Sequence, residues 1–433
     1  MALGGGIFVT QNKKLPGAYI NFTSAARANA SLSDRGIGAM PLVLDWGAEG
    51  VVKIDHAAFM QNSRKYTGYE YTHEKNKGLR DFFKKAQTLF VYRLNKGVKA
   101  SNSYAMAKYA GVRGNDLKIV ITANADDESM YDVMTYLDTR VVDTQTVAEA
   151  AALVGNEFVD FVTSTPLALT ASTPLSGGTN GDEVTGQDWQ DALNALDRYS
   201  YNTLGVVSTD DTVKGLCVAY TKRMRDEVGA KFQCVVYKKN DADYEGVISV
   251  ENKVTDAAEE SMVFWATGAE AGCKVNQSLD NMEYDGEFSV DVNYTQAQLE
   301  EGIDTGKFMF HAVGDDVNVL LDLNTFTSFT KDKGEDFQNN QVIRTLDQIG
   351  IDFAVAFNKQ FLGKENVEPA GLNILYLTYK KLLKQLERLT AIKNFADEDL
   401  TLAEGEKKGD VVTGLEVEPT VSMRRLYMTC VVS

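Results

Sequence analysis

Histidines and nucleophile motifs, the usual carriers of chemistry, are sparse in this sequence. His56, His73 and His311 show neither an HExxH motif nor the i,i+4 spacing that brings two imidazoles to one metal ion. No Gly-x-Ser-x-Gly elbow occurs, and the glycine-rich segment 177–181 lacks the Gly-Lys-Ser/Thr of a phosphate-binding loop. We therefore expect structural or surface roles for the histidines, a linker at 177–181, and no catalytic site, cofactor or metal.

Acidic pairs are the remaining candidates for metal binding or acid–base work. Their positions near predicted strand ends also fit helix caps and turns, which use the same side chains for a local purpose. We interpret Asp210-Asp211 as the cap of a helix that begins near residue 212. The pairs are Asp126-Asp127, Asp210-Asp211 and Asp315-Asp316.

Length and charge narrow the class of protein. A chain of 433 residues exceeds what one hydrophobic core supports, so two to four domains are expected. The net charge of -17 disfavours nucleic acid and anionic membranes as partners. Residues 1–10 lack the pattern of a signal peptide and no long apolar span occurs, which predicts a protein kept in the cytoplasm without membrane insertion. The isolated cysteines indicate reduced, mostly buried thiols; they are Cys217, Cys234, Cys273 and Cys430.

Helices and strands alternate on both sides of a segment that is mostly β. Strand-like runs at 88–94 and 204–208 and a helical pattern at 211–228 have the rhythm of a largely parallel sheet with helical crossovers. Residues 96–186 instead contain alternating β-runs, with one predicted helix at 145–154. The sequence thus predicts an α/β domain into which a β module is inserted.

Two amphipathic helices are predicted near the end of the chain. Their apolar residues recur every three or four positions, which places them on one face of each helix. We expect both helices to pack on the local sheet; a coiled-coil partner is the alternative that the pattern leaves open. The two faces are Val342, Leu346, Ile349, Phe353, Phe357 and Phe361, and Leu372, Leu375, Tyr379, Leu382, Leu386, Leu389 and Ile392.

Both ends of the chain have the character of extended arms. Glycines precede short β-branched and aromatic runs at the start, and the last eight residues alternate as a strand does. Such a strand left unpaired is an aggregation hazard, so another chain must accept it. The predicted linker glycines are Gly4, Gly5 and Gly6, and the predicted arm-strand residues are Ile7, Phe8, Val9, Tyr19, Ile20, Leu426, Tyr427, Met428, Thr429, Cys430, Val431 and Val432.

Motifs spread over the whole chain resemble one family. The start (GGGIF at 4–8, PGAYINF at 16–22 and PLVLDWG at 41–47) is similar to the start of tail sheath proteins of contractile-tailed phages and phage-tail-like bacteriocins, in their short Gram-positive form. The similarity continues in WQDALNAL at 189–196, DFQNNQVIR at 336–344 and MRRLYMT at 423–429. The order of these motifs, rather than any single one, carries the resemblance.

The resemblance implies a fold that agrees with the pattern of elements. It implies a subtilisin-like α/β domain without protease function, an inserted β-sandwich, and an α+β C-terminal domain, with N- and C-terminal strand arms that pair with neighbouring subunits. The expected boundaries are 1–22 for the N-terminal arm, 23–95 and 187–306 for the α/β domain, 96–186 for the β-sandwich, 307–415 for the C-terminal domain and 416–433 for the C-terminal arm.

The implied function is structural. Copies of the chain would form stacked, hexameric rings around a tail tube, meet baseplate and tail terminator proteins, and contract to drive the tube through a cell envelope. The location would be a virion tail or phage-tail-like particle assembled in the host cytoplasm. Glycines at 4–6 and the segment before Met423 would act as extensible links between rings. The sheath of a bacterial contractile injection system is the first alternative, and an α/β hydrolase using acidic pairs is a distant second.

Overall fold

The computed structural model describes residues 32–432. Its first part consists of strands and helices. β1 and β3 pair in parallel from Ile37↔Thr88 to Leu42↔Arg93, and β2 pairs antiparallel with β3. A Cβ on Gly38 would lie 2.6 Å from the Phe82 ring, so glycine lets the helix approach the strand. The elements are β1 (Ile37–Leu42), β2 (Val51–Asp55), α1 (His56–Gln61), α2 (Ser63–Thr67), α3 (Lys77–Phe83) and β3 (Thr88–Arg93).

The segment after β3 is a small β-sandwich. Buried residues alternate along its central strand, with Leu117, Ile119 and Ile121 facing the sandwich core. One sheet has four antiparallel strands in the order β7-β6-β5-β9, and β4 pairs with β8. The strands are β4 (Ala105–Ala107), β5 (Leu117–Ala123), β6 (Tyr131–Leu137), β7 (Arg140–Val147), β8 (Val159–Phe161) and β9 (Thr170–Pro174).

The helix predicted at 145–154 is wrong. β7 continues to Val147, which pairs with Tyr131 of β6, and only a short 3-10 turn follows at Ala150–Ala152. The alanines favour a helix locally, but β-branched residues before them and the neighbouring strand extend the sheet instead.

The α/β pattern resumes after the sandwich. Asp210 accepts hydrogen bonds from the backbone N–H groups of Thr212 and Val213, which confirms the predicted cap. The helix that Asp210 caps continues into a π turn, Met224–Val228. The elements are α4 (Gly186–Leu196), β10 (Thr203–Val206), α5 (Asp211–Arg223), β11 (Gln233–Tyr237), β12 (Val247–Val250), α6 (Met262–Gly272), α7 (Gln296–Asp304) and β13 (Lys307–Phe308).

Strands from both sides of the sandwich form one seven-stranded sheet. Its order is β13-β12-β11-β10-β1-β3-β2, and every pair except β2 with β3 is parallel. Helices α3 and α6 cover one face with a core that includes Phe82 and Trp265, and α4 and α5 cover the other with Leu193 and Cys217. The sheet is therefore buried on both faces, as crossovers of this kind require.

The last part of the described chain contains two long helices and short strand pairs. Phe353 and Tyr379 stack between the helices with ring centroids 3.8 Å apart, and Leu382 and Leu386 lie in the same core. The helices thus pack on each other and on local strands. The elements are β14 (Phe310–Val313), β15 (Asp316–Val319), α8 (Asn340–Gln360), α9 (Pro369–Arg388), β16 (Ile392–Lys393), β17 (Leu400–Glu404), β18 (Val411–Leu415) and β19 (Glu418–Pro419).

Candidate assembly surface

The end of the chain is exposed and unpaired within the subunit. Leu426 and Tyr427 are each 88% exposed and Met428 is 80% exposed, and residues 420–432 belong to no strand of the described chain. Thr429, Cys430, Val431 and Val432 are exposed as well. The predicted arm residues at 7–9 and 19–20 and the glycines at 4–6 lie outside the described residues. An apolar segment of this kind is covered only when another surface accepts it.

The segment just before this exposed end is tied to the body at every second residue. In these contacts Glu416, Thr420 and Ser422 bind through backbone N–H groups, and Glu418 and Arg424 bind through their side chains. The free part of the terminal segment therefore begins at Arg425, nine residues after the expected start of the arm at 416. The contacts are Glu416 N–H to Asp399 O (2.9 Å), Glu418 carboxylate to Lys393 Nζ (2.7 Å) and Asn394 Nδ2 (2.8 Å), Thr420 N–H to Ala391 O (2.9 Å), Ser422 N–H to Gln341 Oε1 (3.1 Å) and Arg424 Nε to Asp280 Oδ2 (2.8 Å).

Asp280 receives the last of these contacts. Its Oδ2 accepts hydrogen bonds from Ser422 Oγ at 2.5 Å and Arg424 Nε at 2.8 Å, and its Oδ1 accepts from Arg424 Nη2 at 3.2 Å. Oδ1 also accepts from the backbone N–H of Asp322 at 2.7 Å. The Asp280 side chain is only 8% exposed. Charge-assisted bonds at a site with little water are stronger than surface ion pairs.

A buried charge cluster lies directly behind Asp280. Arg344 of α8, 1% exposed, contacts Glu270 of α6 at 2.5 Å and Asp322 at 2.7 Å. Burial and the charge of Asp322 raise the pKa of Glu270 well above its usual range. Burial also acts to raise the pKa of Asp322, but the Arg344 guanidinium and several hydrogen bonds outweigh it and hold that pKa low. The two carboxylates beside Arg344 thus have pKa values shifted in opposite directions, with the lower one at Asp322.

The first described residues pass over the same helix. Ser33 N–H donates to Asp352 Oδ1 at 2.8 Å, and Gln348 Nε2 donates to Ser33 O at 3.3 Å. Gln341, which binds Ser422, lies eleven residues before Asp352 on α8, about 16 Å along the helix axis. Helix α8 thus contacts both Ser33, near the start of the described residues, and Ser422, near their end.

The hairpin formed by β17 and β18 has unpaired outer edges. β17 and β18 form a two-stranded antiparallel sheet from Leu400↔Leu415 to Glu404↔Val411. No other strand of residues 32–432 pairs with either of them. Leu400 belongs to the core around α9, so the hairpin is fixed to the helix pair. Its two outer edges offer free backbone donors and acceptors to an added strand.

The β-sandwich joins the α/β part through buried polar contacts. Arg113 Nη1 and Nη2 bind Asp138 at 2.8 and 2.5 Å, and Arg113 Nε donates to Gly68 O at 2.8 Å. Asn180 Nδ2 donates to Asp45 Oδ1 at 2.9 Å. These contacts hold the β-sandwich against the α/β part. The glycine-rich segment 177–181 therefore belongs to a packed junction between the two.

Two histidines and one cysteine have surroundings that favour structural roles over catalysis. His56 stacks on Phe83 with ring centroids 5.1 Å apart, and His73 stacks on Tyr69 at 4.4 Å. Burial raises the pKa of the Cys234 thiol to about 12, which makes it a poor nucleophile. Within residues 32–432, no three His, Cys, Asp or Glu side chains are arranged to hold a metal ion, and no helix is long and apolar enough to cross a bilayer.

Three family models match the chain in consecutive order. They are the phage tail sheath protein beta-sandwich domain over residues 95–180, the phage tail sheath protein central domain over 182–325 and the phage tail sheath C-terminal domain over 332–433. The chain belongs to the phage tail sheath protein family.

Relatives of this sheath-family chain match it over nearly its full length. Protein XkdK of the phage-like element PBSX of Bacillus subtilis (strain 168) is 31% identical, over 98% of this chain and 99% of the relative. The sheath tail protein of Desulfitobacterium hafniense is 36% identical with a TM-score of 0.80, over 93% of this chain and 100% of that one. The contracted helical sheath of the anti-feeding prophage shares the fold, with a TM-score of 0.55 and 12% identity over 97% of this chain and 99% of that one. These matches confirm the predicted family and a mixed α/β fold with a β-sandwich.

The residues that anchor the C-terminal arm of this sheath-family chain to its body were not predicted from the sequence. Asp280 stands in a loop whose sequence carries no motif. A signal did exist in α8, where Asn340, Arg344 and Gln348 recur every four residues and form a buried polar stripe beside the apolar one. Polar residues at helical spacing within an amphipathic helix predict a polar interface with another element.

Proposed function

We propose that this chain is the structural subunit of a contractile tail sheath. Subunits polymerise around a tail tube by exchanging β-strands, and the polymer contracts to drive the tube through a cell envelope. The observation that carries this function is the exposed segment 425–432, with the sequence pattern of a strand, in a subunit whose strands β17 and β18 have unpaired outer edges.

Strand addition supplies both affinity and register in this proposal. Leu426, Met428, Cys430 and Val432 share one face of an extended segment, and their burial contributes roughly 4–8 kcal/mol. Each backbone hydrogen bond adds about 0.5–1.5 kcal/mol. Alternation fixes the register, because a one-residue slip would turn the apolar face outward. The N-terminal arm residues Ile7, Phe8, Val9, Tyr19 and Ile20 pair with a neighbour in the same way, through the glycines at 4–6.

Contraction is a change between two packings of rigid subunits. The Arg113–Gly68 and Asn180–Asp45 contacts at the sandwich junction and the Arg344 cluster under α8 support movement of each subunit as one body. The arms keep subunits linked while the bodies rearrange, and the reaction uses no nucleotide. Binding partners are further copies in stacked hexameric rings, the tail tube, and baseplate and terminator proteins, in a particle assembled in the host cytoplasm.

The α/β part takes a subtilisin-like arrangement without protease function. The parallel sheet with helices on both faces supports this arrangement. The stacking of His56 and His73 on aromatic rings favours a structural role over catalysis, so a hydrolase gains no support. The likeness of fold to the anti-feeding prophage sheath leaves the sheath of an injection system as the alternative setting for the same mechanical function.

Electron microscopy of the purified protein tests the proposal. The full-length chain is expected to form hollow, ridged tubes under polymerising conditions, whereas chains lacking residues 1–14 or 425–433 stay as folded subunits. The matched control is Asp241→Asn, which changes an exposed ion pair with Lys239 and leaves both arms and their contacts intact. Tubes of normal length from either truncated chain would refute strand exchange.

A further inference from the structure

The alternating contacts of the terminal segment stop at Asp280. Residues 416, 418, 420, 422 and 424 each bind the body, and residues 425–432 make no hydrogen bond or ion pair with it. Asp280 supplies the final contacts through one nearly buried carboxylate. Four donors converge on it: Ser422 Oγ, two nitrogens of Arg424 and the Asp322 N–H.

We propose that Asp280 is a positioning residue that clasps Ser422 and Arg424 and so fixes the root of the C-terminal arm at Arg424. This inference rests on the proposed strand exchange for its purpose, and the clasp itself is a property of the free subunit. Opening of the clasp releases the arm back to Ser422, whose N–H is held separately by Gln341 Oε1 at 3.1 Å.

The position of the root decides which neighbours the arm reaches. With the clasp closed, the nine residues 425–433 span at most about 30 Å when extended. With the clasp open, the eleven residues 423–433 span about 36 Å. Asp280 thus restricts the arm to nearby acceptor strands and gives it a defined direction. Loss of the Asp280 contacts lengthens the free arm when subunits move apart.

The clasp is also joined to the interior of the subunit. The Asp322 backbone binds Asp280, and the Asp322 carboxylate binds Arg344 of α8. Gln341, one turn earlier on α8, accepts from the Ser422 N–H at 3.1 Å. A pull on the arm therefore acts on α8, the helix that also holds Ser33 at the other end of the described chain.

Limited trypsin digestion of the full-length subunit tests the clasp directly. Trypsin must take the arginine side chain into its own pocket, so the bond after clasped Arg424 is protected while the bond after Arg425 is open. Mass spectrometry measures the released peptides 426–433 and 425–433, and a synthetic peptide of residues 418–433 gives the intrinsic ratio of the two cuts. We expect the native subunit to favour the cut after Arg425 about tenfold more than the peptide does, given two charge-assisted hydrogen bonds.

Variants separate the clasp from general stability. Asp280→Asn keeps an acceptor for the Asp322 N–H, and it is expected to bring the ratio of cuts close to that of the peptide; Ser422→Ala should lie between. Asp241→Asn, which changes an exposed carboxylate paired with Lys239 away from the terminal segment, serves as the control and should keep the wild-type ratio. A wild-type ratio equal to that of the peptide, or an unchanged ratio in Asp280→Asn, overturns the proposal. Because the assay uses free subunits, the clasp can fail while tubes still form, and tubes can fail while the clasp is present.

Discussion

Replacing Glu270 by Gln is expected to stabilise the folded subunit increasingly as the pH rises. Glu270 is fully buried, 2.5 Å from Arg344 and 3.2 Å from Asn340 Nδ2. Burial and the charge of Asp322 raise its pKa well above the usual 4.5. The folded chain therefore holds a proton that the unfolded chain releases near pH 4.5.

The sign and size follow from proton linkage. A group with a raised pKa in the folded state contributes stability that is complete below its unfolded pKa and is lost as the pH rises toward its folded pKa. Each pH unit in this window lowers the free energy of unfolding by about 1.4 kcal/mol. The amide that Glu270→Gln introduces does not titrate, so the difference between variant and wild type should grow as the pH rises above 4.5, by at most about 1.4 kcal/mol for each pH unit.

Urea unfolding at pH 5, 6 and 7, followed by tryptophan fluorescence, measures this difference. Glu287→Gln is a control of opposite sign, because a hydrogen bond from Arg80 lowers the pKa of Glu287. That carboxylate contributes stability above pH 4.5 and loses it only as the pH falls, so Glu287→Gln should be less stable by a constant amount from pH 5 to pH 7. A flat or falling difference for Glu270→Gln would refute the assignment of the proton to Glu270.

Three further predictions follow from the same contacts. Arg344→Met leaves the Asp322 carboxylate buried without its cation and should lower the free energy of unfolding by about 3–5 kcal/mol in urea; a loss below about 1 kcal/mol would contradict the cluster. Gly181→Ala adds a Cβ against the Lys96 carbonyl at a φ of +77°, and it should open the sandwich junction, seen as faster hydrogen exchange at residues 96–98 than in wild type. Equal exchange would contradict the packed junction. Deletion of 425–433 should shift the melting temperature of the free subunit by less than about 1 °C, because residues 425–432 make no hydrogen bond or ion pair within it; a larger fall would mean that the arm folds onto its own body.

Local periodicity was enough to predict the main elements. The apolar spacing in α8 and α9 depends only on the helical repeat, so Phe353, Tyr379 and Leu382 could be placed on facing surfaces from sequence. The alternation of β-rich and mixed segments likewise indicated an inserted β module. Residues 426–432 were predicted as a strand that pairs with another subunit; in the described subunit they are exposed and belong to no strand, and the pairing stays a prediction.

Contacts that depend on the tertiary fold could not be predicted. Asp280 and Arg424 are 144 residues apart, and nothing in either local sequence indicates that they meet. The strand that replaces the predicted helix at 145–147 depends on a partner in β6, which outweighs local preference. The last contacts before the exposed segment are likewise set by Gln341 and Asp280, which lie on distant elements.

A structure of assembled tubes at a resolution that traces side chains is the most direct test of strand exchange. The account predicts that residues 426–432 form a strand hydrogen-bonded to an outer edge of β17 or β18 in a neighbouring subunit, with Leu426, Met428, Cys430 and Val432 on its buried face. Tubes in which this segment remains exposed, or pairs within its own chain, would contradict it.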